Sequence, residues 1–307
     1  MHPAAPSWQQ NPTGARDAKS PIYAQPPISG CGEPHPLLPS RAMKSALSIA
    51  GSDPTGGAGM QADLQTFALH GVHGAGIVSA LTIQDSARVH SVLPVFPSVV
   101  LDQIRTLLAD ATPDVIKIGM LATDDVARNV VLGLQSVRGK VPIVIDPVLE
   151  ASDGTPLLER RAWPALHELI RGCHLVTPNL NEAERLSDID CSRKKDCEKA
   201  ADFFIQKLGA GAILLKGGHR SGSPDDLLAL GGGSETRFIW LESERIESGS
   251  VHGTGCALAS SVAAGLAQGR SMEDAVQRAR TFVRQGISTS AKFGQGARFL
   301  GLPGDVS

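Results

Sequence analysis

From residue 45 onward, short apolar runs alternate with longer stretches in which apolar residues recur three and four positions apart. The short runs indicate buried strands, and the longer period is that of helices packed on one face. The predicted strands are ALSIAG (46–51), GIVSALTIQ (76–84), DVIKIGML (114–121), VPIVIDPV (141–148), CHLVTPN (173–179) and GAILLKGG (211–218). Helices predicted between them, such as 60–71 and 98–110, complete a series of βαβ units.

The C-terminal part of the chain has a different pattern. LLALGG (228–233) and TRFIWLES (236–243) flank a glycine-rich turn and predict a hairpin, and two helices are predicted at 254–268 and 272–291. No linker-like segment interrupts the sequence between the first strand and the last helix. We therefore predict an α/β fold in a single domain, with a mostly parallel central sheet and helices on both faces.

The two ends of the chain lack this periodicity. Residues 1–42 are rich in Pro, Ser and Gly, which predicts a disordered tail, and residues 303–307 are predicted to form a flexible C-terminus. The folded domain is predicted to span residues 43–302. Met43 directly precedes the first organised residues and is a candidate start of translation, which mass spectrometry of the native N-terminus would test.

Composition narrows the class of partner. With 42% hydrophobic residues and a formal charge of -2, the chain can bury a core and has no excess of positive charge for nucleic acid or a membrane surface. The five cysteines are Cys31, Cys173, Cys191, Cys197 and Cys256. They form no dense framework, so we expect no disulfides. The N-terminus also lacks a signal-peptide pattern. We expect a cytoplasmic protein that acts on small molecules.

Candidate chemistry lies where strands run into helices, because ligands of a doubly wound sheet bind at the carboxyl ends of its strands. The first such junction is AGSDPTGGAGMQADLQTF, where Gly56, Gly57 and Gly59 let the backbone approach a ligand just before a helix begins. The stretch matches neither the Walker pattern nor GxGxxG. A phosphate-binding loop and a flexible capped turn fit this segment equally well.

Polar residues also follow later strands. Asp146 ends VPIVID, Asn179 and Glu182 follow another strand in TPNLNEAE, and Lys216 ends GAILLK. Carboxylates at this edge of the sheet suit a Mg²⁺-bound phosphate, and a lysine suits a phosphate contact. The spacing of Asn179 and Glu182 also fits an ordinary helix capping box, and a solvated side chain is an equal alternative for Lys216.

The strongest signal is VHGTGCALASSVAAGLAQG (251–269). Gly253 and Gly255 permit a tight turn whose amides point in one direction, and the helix from about Thr254 adds the positive end of its dipole. Such a turn is an anion hole. A cysteine at this helix N-terminus is expected to have a lowered pKa, which makes Cys256 a candidate base or nucleophile. The alternatives are a buried cysteine that acts as a small hydrophobe, and simple helix capping.

Together these segments resemble the ribokinase-like small-molecule kinases, and in particular the hydroxymethylpyrimidine/phosphomethylpyrimidine kinases of thiamine biosynthesis. The segments that carry the resemblance, in the order of the family, are AGSDPTGGAGMQADLQTF, SALTIQDS, KIGML, DPVLEASDGTPLL, TPNLNEAE, LLKGGH and HGTGCALASSVAAGLA. The resemblance implies a ribokinase-like domain that uses ATP and Mg²⁺ to phosphorylate 4-amino-5-hydroxymethyl-2-methylpyrimidine and then its monophosphate. It also implies a homodimer.

The resemblance further implies roles for individual residues. Cys256 stands where many ribokinase relatives have an aspartate base, so it would take the proton of the substrate hydroxyl. The transferring phosphoryl group would be held by Gly253, Thr254, Gly255 and Lys216, and Mg²⁺ by Asp146 and Glu182. The pyrimidine would be contacted by Gln84, Asp63, Met120, Val148 and Gly57. The nucleotide would be contacted by Lys216, Asn179 and Thr177. Ordinary core packing is the alternative for Met120 and Val148.

Two other functions fit the same pattern. A pyridoxal kinase of the same cysteine-bearing type would also take a six-membered nitrogen ring with a hydroxymethyl arm, although the amide of Gln84 favours the aminopyrimidine. A catalytically silent pyrimidine sensor would keep the fold, but it would not need Lys216, Cys256, Asp146 and Glu182 together. Glu150 and Asp153 depart from the family pattern, because apolar or basic residues are expected there.

Overall fold

A computed structural model of the protein describes residues 43–218, 223–233 and 235–301. The disordered tail predicted for residues 1–42 and the flexible C-terminus predicted for residues 303–307 lie outside the described residues, as does residue 302 of the predicted domain. Those predictions therefore stay predictions.

Within the described residues, one nine-stranded sheet runs through the domain in the order β3-β2-β1-β4-β5-β6-β7-β8-β9. Its strands are β1 (Ser45–Ser52), β2 (His73–Gln84), β3 (Val89–Pro94), β4 (Val115–Ile118), β5 (Ile143–Ile145), β6 (Leu175–Val176), β7 (Ala212–Leu215), β8 (Asp226–Gly231) and β9 (Thr236–Leu241). The strands from β2 to β7 run parallel, and the pairs β2–β3, β7–β8 and β8–β9 are antiparallel. The predicted, mostly parallel sheet is confirmed.

Helices cover this sheet on both faces. They are α1 (Gly59–Leu69), α2 (Pro97–Asp110), α3 (Asp124–Leu134), α4 (Trp163–Ile170), α5 (Leu180–Ser187), α6 (Lys194–Asp202), α7 (Thr254–Ala267) and α8 (Met272–Ser288), with a 3-10 turn at Arg160–Ala162 and a π turn at Phe203–Lys207. The helices between β3 and β7, α2 to α6, share one apolar core, and α1, α7 and α8 share the other.

Alternation along the strands explains why both faces bury apolar side chains. In β4, Ile116 and Ile118 pack into the core under α2 to α6, and Val115 packs into the core under α1, α7 and α8. Lys117 is on the same face as Val115, and it is fully buried. A buried lysine in a central strand needs a compensating anion, so this position marks a polar cluster inside the second core.

Two features of the fold were not predicted. The edge strand β3 follows a tight turn in which the backbone amides of Ala87 and Arg88 donate to the carboxylate of Asp85. A second sheet has the order β10-β12-β11 and contains β10 (Val251–His252), β11 (Ala291–Lys292) and β12 (Arg298–Phe299). Strands of two residues are too short to show a period of two, so only tertiary contacts define them.

Candidate active site

A cavity of about 640 Å³ opens at the carboxyl ends of the parallel strands, beside the N-terminus of α7. The predicted site residues that line it are Gln84, Met120, Asp146, Val148, Asn179, Glu182, Lys216, Gly253, Thr254, Gly255 and Cys256. The structure therefore brings together residues from distant parts of the chain. We call the part lined by Thr82, Gln84, Met120 and Val148 the β2 end, and the part lined by Asp226, Ser243, Arg280 and Ile287 the α8 end.

Three predicted site residues lie behind the cavity wall. Asp63 is fully buried, and Thr177 is buried beneath the cavity, where its hydroxyl donates to Asp146 at 3.0 Å. Gly57 packs so tightly that a Cβ there would lie 2.4 Å from the Phe299 ring and 2.7 Å from the His252 ring. These residues shape the cavity from behind.

The anion hole depends on the contact between two glycine-rich loops, residues 53–59 and 251–256. Gly253 has φ +83 and caps α7, and a Cβ at this position would lie 1.7 Å from the carbonyl oxygen of Gly57. Only glycine fits such a position without strain. The close contact sets the first turn of α7, whose free amides can bind an anion.

Lys216 and Asp146 lie against this first turn. The Lys216 ammonium donates to Oδ1 of Asp146 at 2.9 Å, and a Cβ on Gly255 would lie 3.2 Å from Nζ and 3.6 Å from Oδ2 of Asp146. Burial alone would raise the pKa of Asp146, but the charges of Lys216 and Lys117 outweigh it and lower that pKa. Burial favours a lower pKa for Lys216, but the negative charges of Asp146 and Glu182 outweigh burial and raise that pKa. The pair therefore stays ionised beside the amides of α7.

Glu182 adds a second carboxylate to this part of the cavity. Its backbone amide donates to Oδ1 of Asn179 at 2.9 Å, and its side chain accepts from the Asn179 amide at 2.8 Å. The predicted capping box is confirmed. Burial raises the pKa of Glu182 to about 7, with Lys216 opposing and Asp146 adding to the increase. Near neutral pH this carboxylate is poised to gain or lose a proton.

The expected lowering of the Cys256 pKa is wrong. Burial raises the pKa of the Cys256 thiol to about 11, and although Lys117 opposes this, the negative charges of Asp63 and Asp146 increase it further. The helix N-terminus was visible in the sequence, but the two neighbouring carboxylates and the burial were not. The thiol form therefore dominates at neutral pH before any ligand binds.

Sequence reasoning missed Lys117, which anchors the polar cluster behind Cys256. Its ammonium donates to both oxygens of Asp63 at 2.9 Å, and the hydroxyls of Ser48 and Ser260 each donate to Asp63 at 2.6 Å. Burial favours a lower pKa for Lys117, but attraction to Asp63, Cys256 and Asp146 raises it. Ser260 is one helical turn after Cys256 on α7, so the cluster lies directly behind the thiol. The signal was a charged residue inside the apolar run DVIKIGML.

Asp53 and His252 were also missed, and they tie the two glycine-rich loops together. Asp53 accepts from the backbone and hydroxyl of Thr55, at 2.9 and 2.8 Å, and from the amide of Ala58 at 3.0 Å. Nε2 of His252 lies 2.9 Å from Asp53 and 3.2 Å from Nε2 of Gln84. Burial would raise the pKa of Asp53, but hydrogen bonds from His252 and Thr55 lower it. The Gln84 side chain therefore lies beside a His252 ring that Asp53 fixes.

The two departures from the family pattern have structural partners. Asp153 accepts from the amide of Val89 at 2.8 Å, which ties the 149–157 loop to β3. Glu150 forms an ion pair with Arg185. Both carboxylates are thus used in positioning this loop at the edge of the cavity.

The carboxylates at the cavity fit a Mg²⁺ ion that is shared with phosphates. Lys216 and Thr177 both donate to Oδ1 of Asp146, and Oδ2 lies on the side of Gly255. Across the part of the chain that the structure describes, no cluster of three or more His, Cys, Asp or Glu side chains is arranged to hold a metal alone. One or two carboxylates, with phosphate and water as further ligands, is the donor set that Mg²⁺ prefers.

None of the helices in residues 43–218, 223–233 and 235–301 has the length and apolar character needed to cross a bilayer.

The sequence has clear relatives. The sequence model of the phosphomethylpyrimidine kinase family matches residues 53–300. The chain is 39% identical over 254 residues to the thiamine biosynthesis bifunctional protein ThiED of Geobacter sulfurreducens, which covers 82% of this chain and 51% of that protein. It is 35% identical over 256 residues to a hydroxymethylpyrimidine/phosphomethylpyrimidine kinase of Staphylococcus aureus, which covers 82% of this chain and 91% of the relative. The chain thus spans about half of the bifunctional protein and most of the second relative.

Solved structures share the fold. The pyridoxal kinase of Bacillus subtilis in complex with ADP is similar over 84% of this chain and 96% of its own, with a TM-score of 0.74 and 31% identity. The phosphomethylpyrimidine kinase of Clostridium difficile is similar over 80% of this chain and 99% of its own, with a TM-score of 0.70 and 31% identity. The ribokinase-like fold is therefore confirmed. By sequence and by fold, the chain belongs to the phosphomethylpyrimidine kinase family.

Proposed function

We propose that the protein transfers the γ-phosphoryl group of ATP to 4-amino-5-hydroxymethyl-2-methylpyrimidine, and then phosphorylates the monophosphate to the diphosphate, in thiamine biosynthesis. The observation that carries the proposal is the joint placement of Lys216, Asp146 and Cys256 around the first turn of α7. Phosphoryl transfer needs positioning and neutralisation of charge more than covalent chemistry, and this site supplies both. The Staphylococcus aureus relative, a hydroxymethylpyrimidine/phosphomethylpyrimidine kinase, supports the assignment.

The β2 end of the cavity takes the pyrimidine. Met120 and Val148 offer apolar side chains for the faces of the ring, and Gln84 offers an amide donor and acceptor for its ring nitrogen and amino group. The His252 ring lies beside that amide, and Asp53 fixes the ring. Asp63 and Gly57 act from behind the cavity wall, through Lys117 and through the contact with Gly253.

Cys256 acts as the base in its thiolate form. The O–H bond of the substrate breaks and an S–H bond forms, while the substrate oxygen attacks the γ-phosphorus and the bond to the bridging oxygen of ADP breaks. The amides around Gly253, Thr254 and Gly255 hold the transferring phosphoryl group. Because burial raises the pKa of Cys256 to about 11, turnover is expected to rise with pH.

The α8 end of the cavity takes the nucleotide. Lys216 contacts its phosphates, Asn179 lies beside them, and Thr177 acts by orienting Asp146. Asp146 and Glu182 would hold Mg²⁺, which neutralises phosphate charge when bound. The similar pyridoxal kinase of Bacillus subtilis is described as an ADP complex, which supports a nucleotide in this fold.

A pyridoxal kinase is the second candidate, because a pyridoxal kinase is among the similar structures. The test is to follow ATP consumption with the hydroxymethylpyrimidine, its monophosphate and pyridoxal as separate substrates, and to identify the products by mass spectrometry. Both pyrimidine products are expected. Formation of pyridoxal phosphate alone would replace the proposal with the second candidate, and pyrimidine binding without any product would identify a sensor.

Gln84 distinguishes the two substrates. Gln84→Leu is expected to raise KM for the pyrimidine by about tenfold or more, because polar ring edges would then face an apolar side chain, and to leave KM for ATP nearly unchanged. Equal changes in both constants would show that Gln84 does not contact the pyrimidine.

A homodimer and a cytoplasmic location complete the proposal. Leu81, Ile83 and Leu93 lie on one face of the β2–β3 hairpin and are about half exposed, and Phe96, three residues after Leu93, is 78% exposed. A second copy of the chain would cover this apolar face. Light scattering should give the mass of a dimer for the wild type and of a monomer for Leu81→Lys with Leu93→Lys. The cytoplasm is the proposed location because the reaction consumes ATP.

A further inference from the structure

Arg280 is a nearly buried cation that the proposed mechanism does not use. It is on α8, only 7% of it is exposed, and it lines the α8 end of the cavity. A buried guanidinium is costly unless its donors are paired. The fold supplies partners from two other segments of the chain, which makes Arg280 a connection between elements that are distant in sequence.

The first set of partners is at the end of β9. The two N–H groups of Arg280 Nη2 are shared among three acceptors: the carbonyl oxygens of Leu241 and Glu242, at 2.8 and 3.0 Å, and the hydroxyl of Ser243 at 2.5 Å. From Ser243 to Val251 the chain forms much of the wall of the α8 end. A planar guanidinium donates in fixed directions, so these bonds fix the start of the wall relative to α8.

The second partner leads to Lys216. Nε of Arg280 donates to Oδ2 of Asp226 at 2.9 Å, and Oδ1 of the same carboxylate accepts from the amide of Gly217 at 2.9 Å. Gly217 leaves no room for a side chain, because a Cβ there would lie 1.9 Å from the carbonyl oxygen of Asp225. Asp226 therefore holds the backbone next to Lys216 directly, and Arg280 holds Asp226.

We propose that Arg280 is a positioning residue for the nucleotide, because it fixes the wall that begins at Ser243 and the Lys216–Gly217 turn relative to each other. ATP then meets a preformed site, and its phosphates meet an ammonium that is already in place. The inference rests on the proposed function only in assigning the nucleotide to the α8 end. Among the described residues, none of these hydrogen bonds involves Thr82, Gln84, Met120 or Val148 of the β2 end, so pyrimidine binding is expected to be unaffected.

A role limited to holding the fold together is the competing explanation. That role would lower the thermal stability and reduce the amount of active enzyme, and it would change the kinetic constants for both substrates alike. A positioning role changes the kinetic constants for ATP and leaves those for the pyrimidine unchanged. The ratio of the two KM values is therefore the informative measurement.

The experiment compares Arg280→Met, Arg280→Lys and Arg278→Met in the full chain. Arg278 is the matched control, because it is on the same helix and its ion pair in the described part of the chain is with Asp274, one turn away on the exposed surface. Arg280→Met should raise KM for ATP about tenfold or more and change KM for the pyrimidine less than about twofold. Arg280→Lys keeps a charge for Asp226 but not the fork of donors, so an intermediate value is expected. Arg278→Met should match the wild type.

A second variant covers the case in which Arg280→Met fails to fold with the Asp226 carboxylate left unpaired. Arg280→Met combined with Asp226→Asn removes both charges and keeps an oxygen that accepts from Gly217, and it should show the same selective rise in KM for ATP. Equal changes in both KM values, or a normal KM for ATP in the double variant, would overturn the inference.

Titration of the folded variants with ADP separates this inference from the proposed function. Weaker ADP binding in Arg280→Met, with wild-type binding in Arg278→Met, supports the positioning role even if the wild type phosphorylates no pyrimidine. Equal ADP affinity in both variants overturns the positioning role, whatever the substrate proves to be.

Discussion

Two lysine–aspartate pairs interact with Cys256, and they differ in what surrounds them. Lys117 and Asp63 are 2.9 Å apart with neither side chain exposed, and two serine hydroxyls occupy the remaining acceptor sites of Asp63. Lys216 and Asp146 are also 2.9 Å apart, but they face the cavity, and the lysine side chain is 15% exposed.

Because of this difference, the charges of the inner pair, Lys117 and Asp63, are fixed, whereas those of the outer pair, Lys216 and Asp146, can respond to a ligand. Asp63 has a donor for each of its acceptor positions, so the inner pair can only hold its charges in place. The outer pair has Oδ2 of Asp146 on the side of Gly255, and Glu182 is close enough to raise the pKa of Lys216. We therefore expect the inner pair to control stability and the outer pair to control ligand binding and turnover.

Replacing Cys256, the group between the two pairs, should give the largest effect. Cys256→Ala is expected to lower kcat by about 10² to 10⁴-fold, the range for loss of a general base, with little change in KM for either substrate. Steady-state kinetics at saturating ATP measure this. Cys173→Ala is the control for cysteine loss, because Cys173 is buried away from the cavity. Wild-type turnover in Cys256→Ala would remove the thiol from the mechanism.

The next prediction contrasts the two lysines. Lys216→Met should lower kcat/KM for ATP by about 10²-fold, because a positive charge at the phosphates is lost, while the fold remains. Lys117→Met should instead lower the free energy of unfolding by about 3–5 kcal/mol, because the buried Asp63 carboxylate loses its cation. Urea denaturation and ATP kinetics on both variants measure the two effects.

Two control variants sharpen this contrast. Lys117→Met with Asp63→Asn removes both buried charges and should recover much of the lost stability. Lys44→Met removes the surface pair with Asp114, which has a 2.7 Å contact, and should cost less than about 1 kcal/mol. A stability loss for Lys216→Met as large as that for Lys117→Met would erase the distinction between the pairs.

The reactivity of the thiol gives a smaller effect that both pairs influence. With its pKa raised to about 11, Cys256 in the ligand-free enzyme should react slowly with iodoacetamide at pH 7, and the rate should rise about tenfold per pH unit up to pH 10. Peptide mass spectrometry follows the modification at this one residue. A rate that is already constant above pH 7 would show that the pKa of Cys256 is below 7, as the helix N-terminus alone predicts.

Most strands and helices of the fold could be predicted from the sequence. The central strands follow from short apolar runs, because they are buried on both faces, and the helices follow from apolar residues three and four apart. The junctions that carry Cys256, Lys216 and Asp146 follow from where strands end. The edge strand β3 and the paired two-residue strands do not, because their stability comes from neighbours that a local pattern does not contain.

The sequence was enough to predict most residues of the site, but not the pKa values of those residues. Cys256 was placed at a helix N-terminus correctly, yet the direction of its pKa depends on burial and on Asp63 and Asp146, which are distant in sequence. Asp63 was expected at the pyrimidine, and the structure places it behind Lys117 instead. A lysine inside an apolar strand was the visible clue, because such a residue requires a buried anion.

The smallest effect concerns Glu182, the carboxylate that responds to the outer pair. Its pKa of about 7 in the folded protein is above the ordinary value of 4.5, so the folded state binds this proton more tightly than the unfolded state. The stability that Glu182 contributes is therefore fully present below pH 4.5 and is lost as pH rises through 7. Between pH 5 and 8 the wild type should lose about 1–3 kcal/mol of unfolding free energy relative to Glu182→Gln.

Urea denaturation at several pH values measures this difference directly. Glutamine keeps an oxygen for the Asn179 amide, so the helix cap is preserved while the titration is removed. Glu168→Gln, at an exposed position of α4, controls for the loss of a carboxylate elsewhere. If Glu182→Gln and the wild type share the same pH dependence, Glu182 is already ionised at pH 5. In that case the outer pair would be as fixed in charge as the inner one, because the opposing positive charge of Lys216 would then outweigh burial.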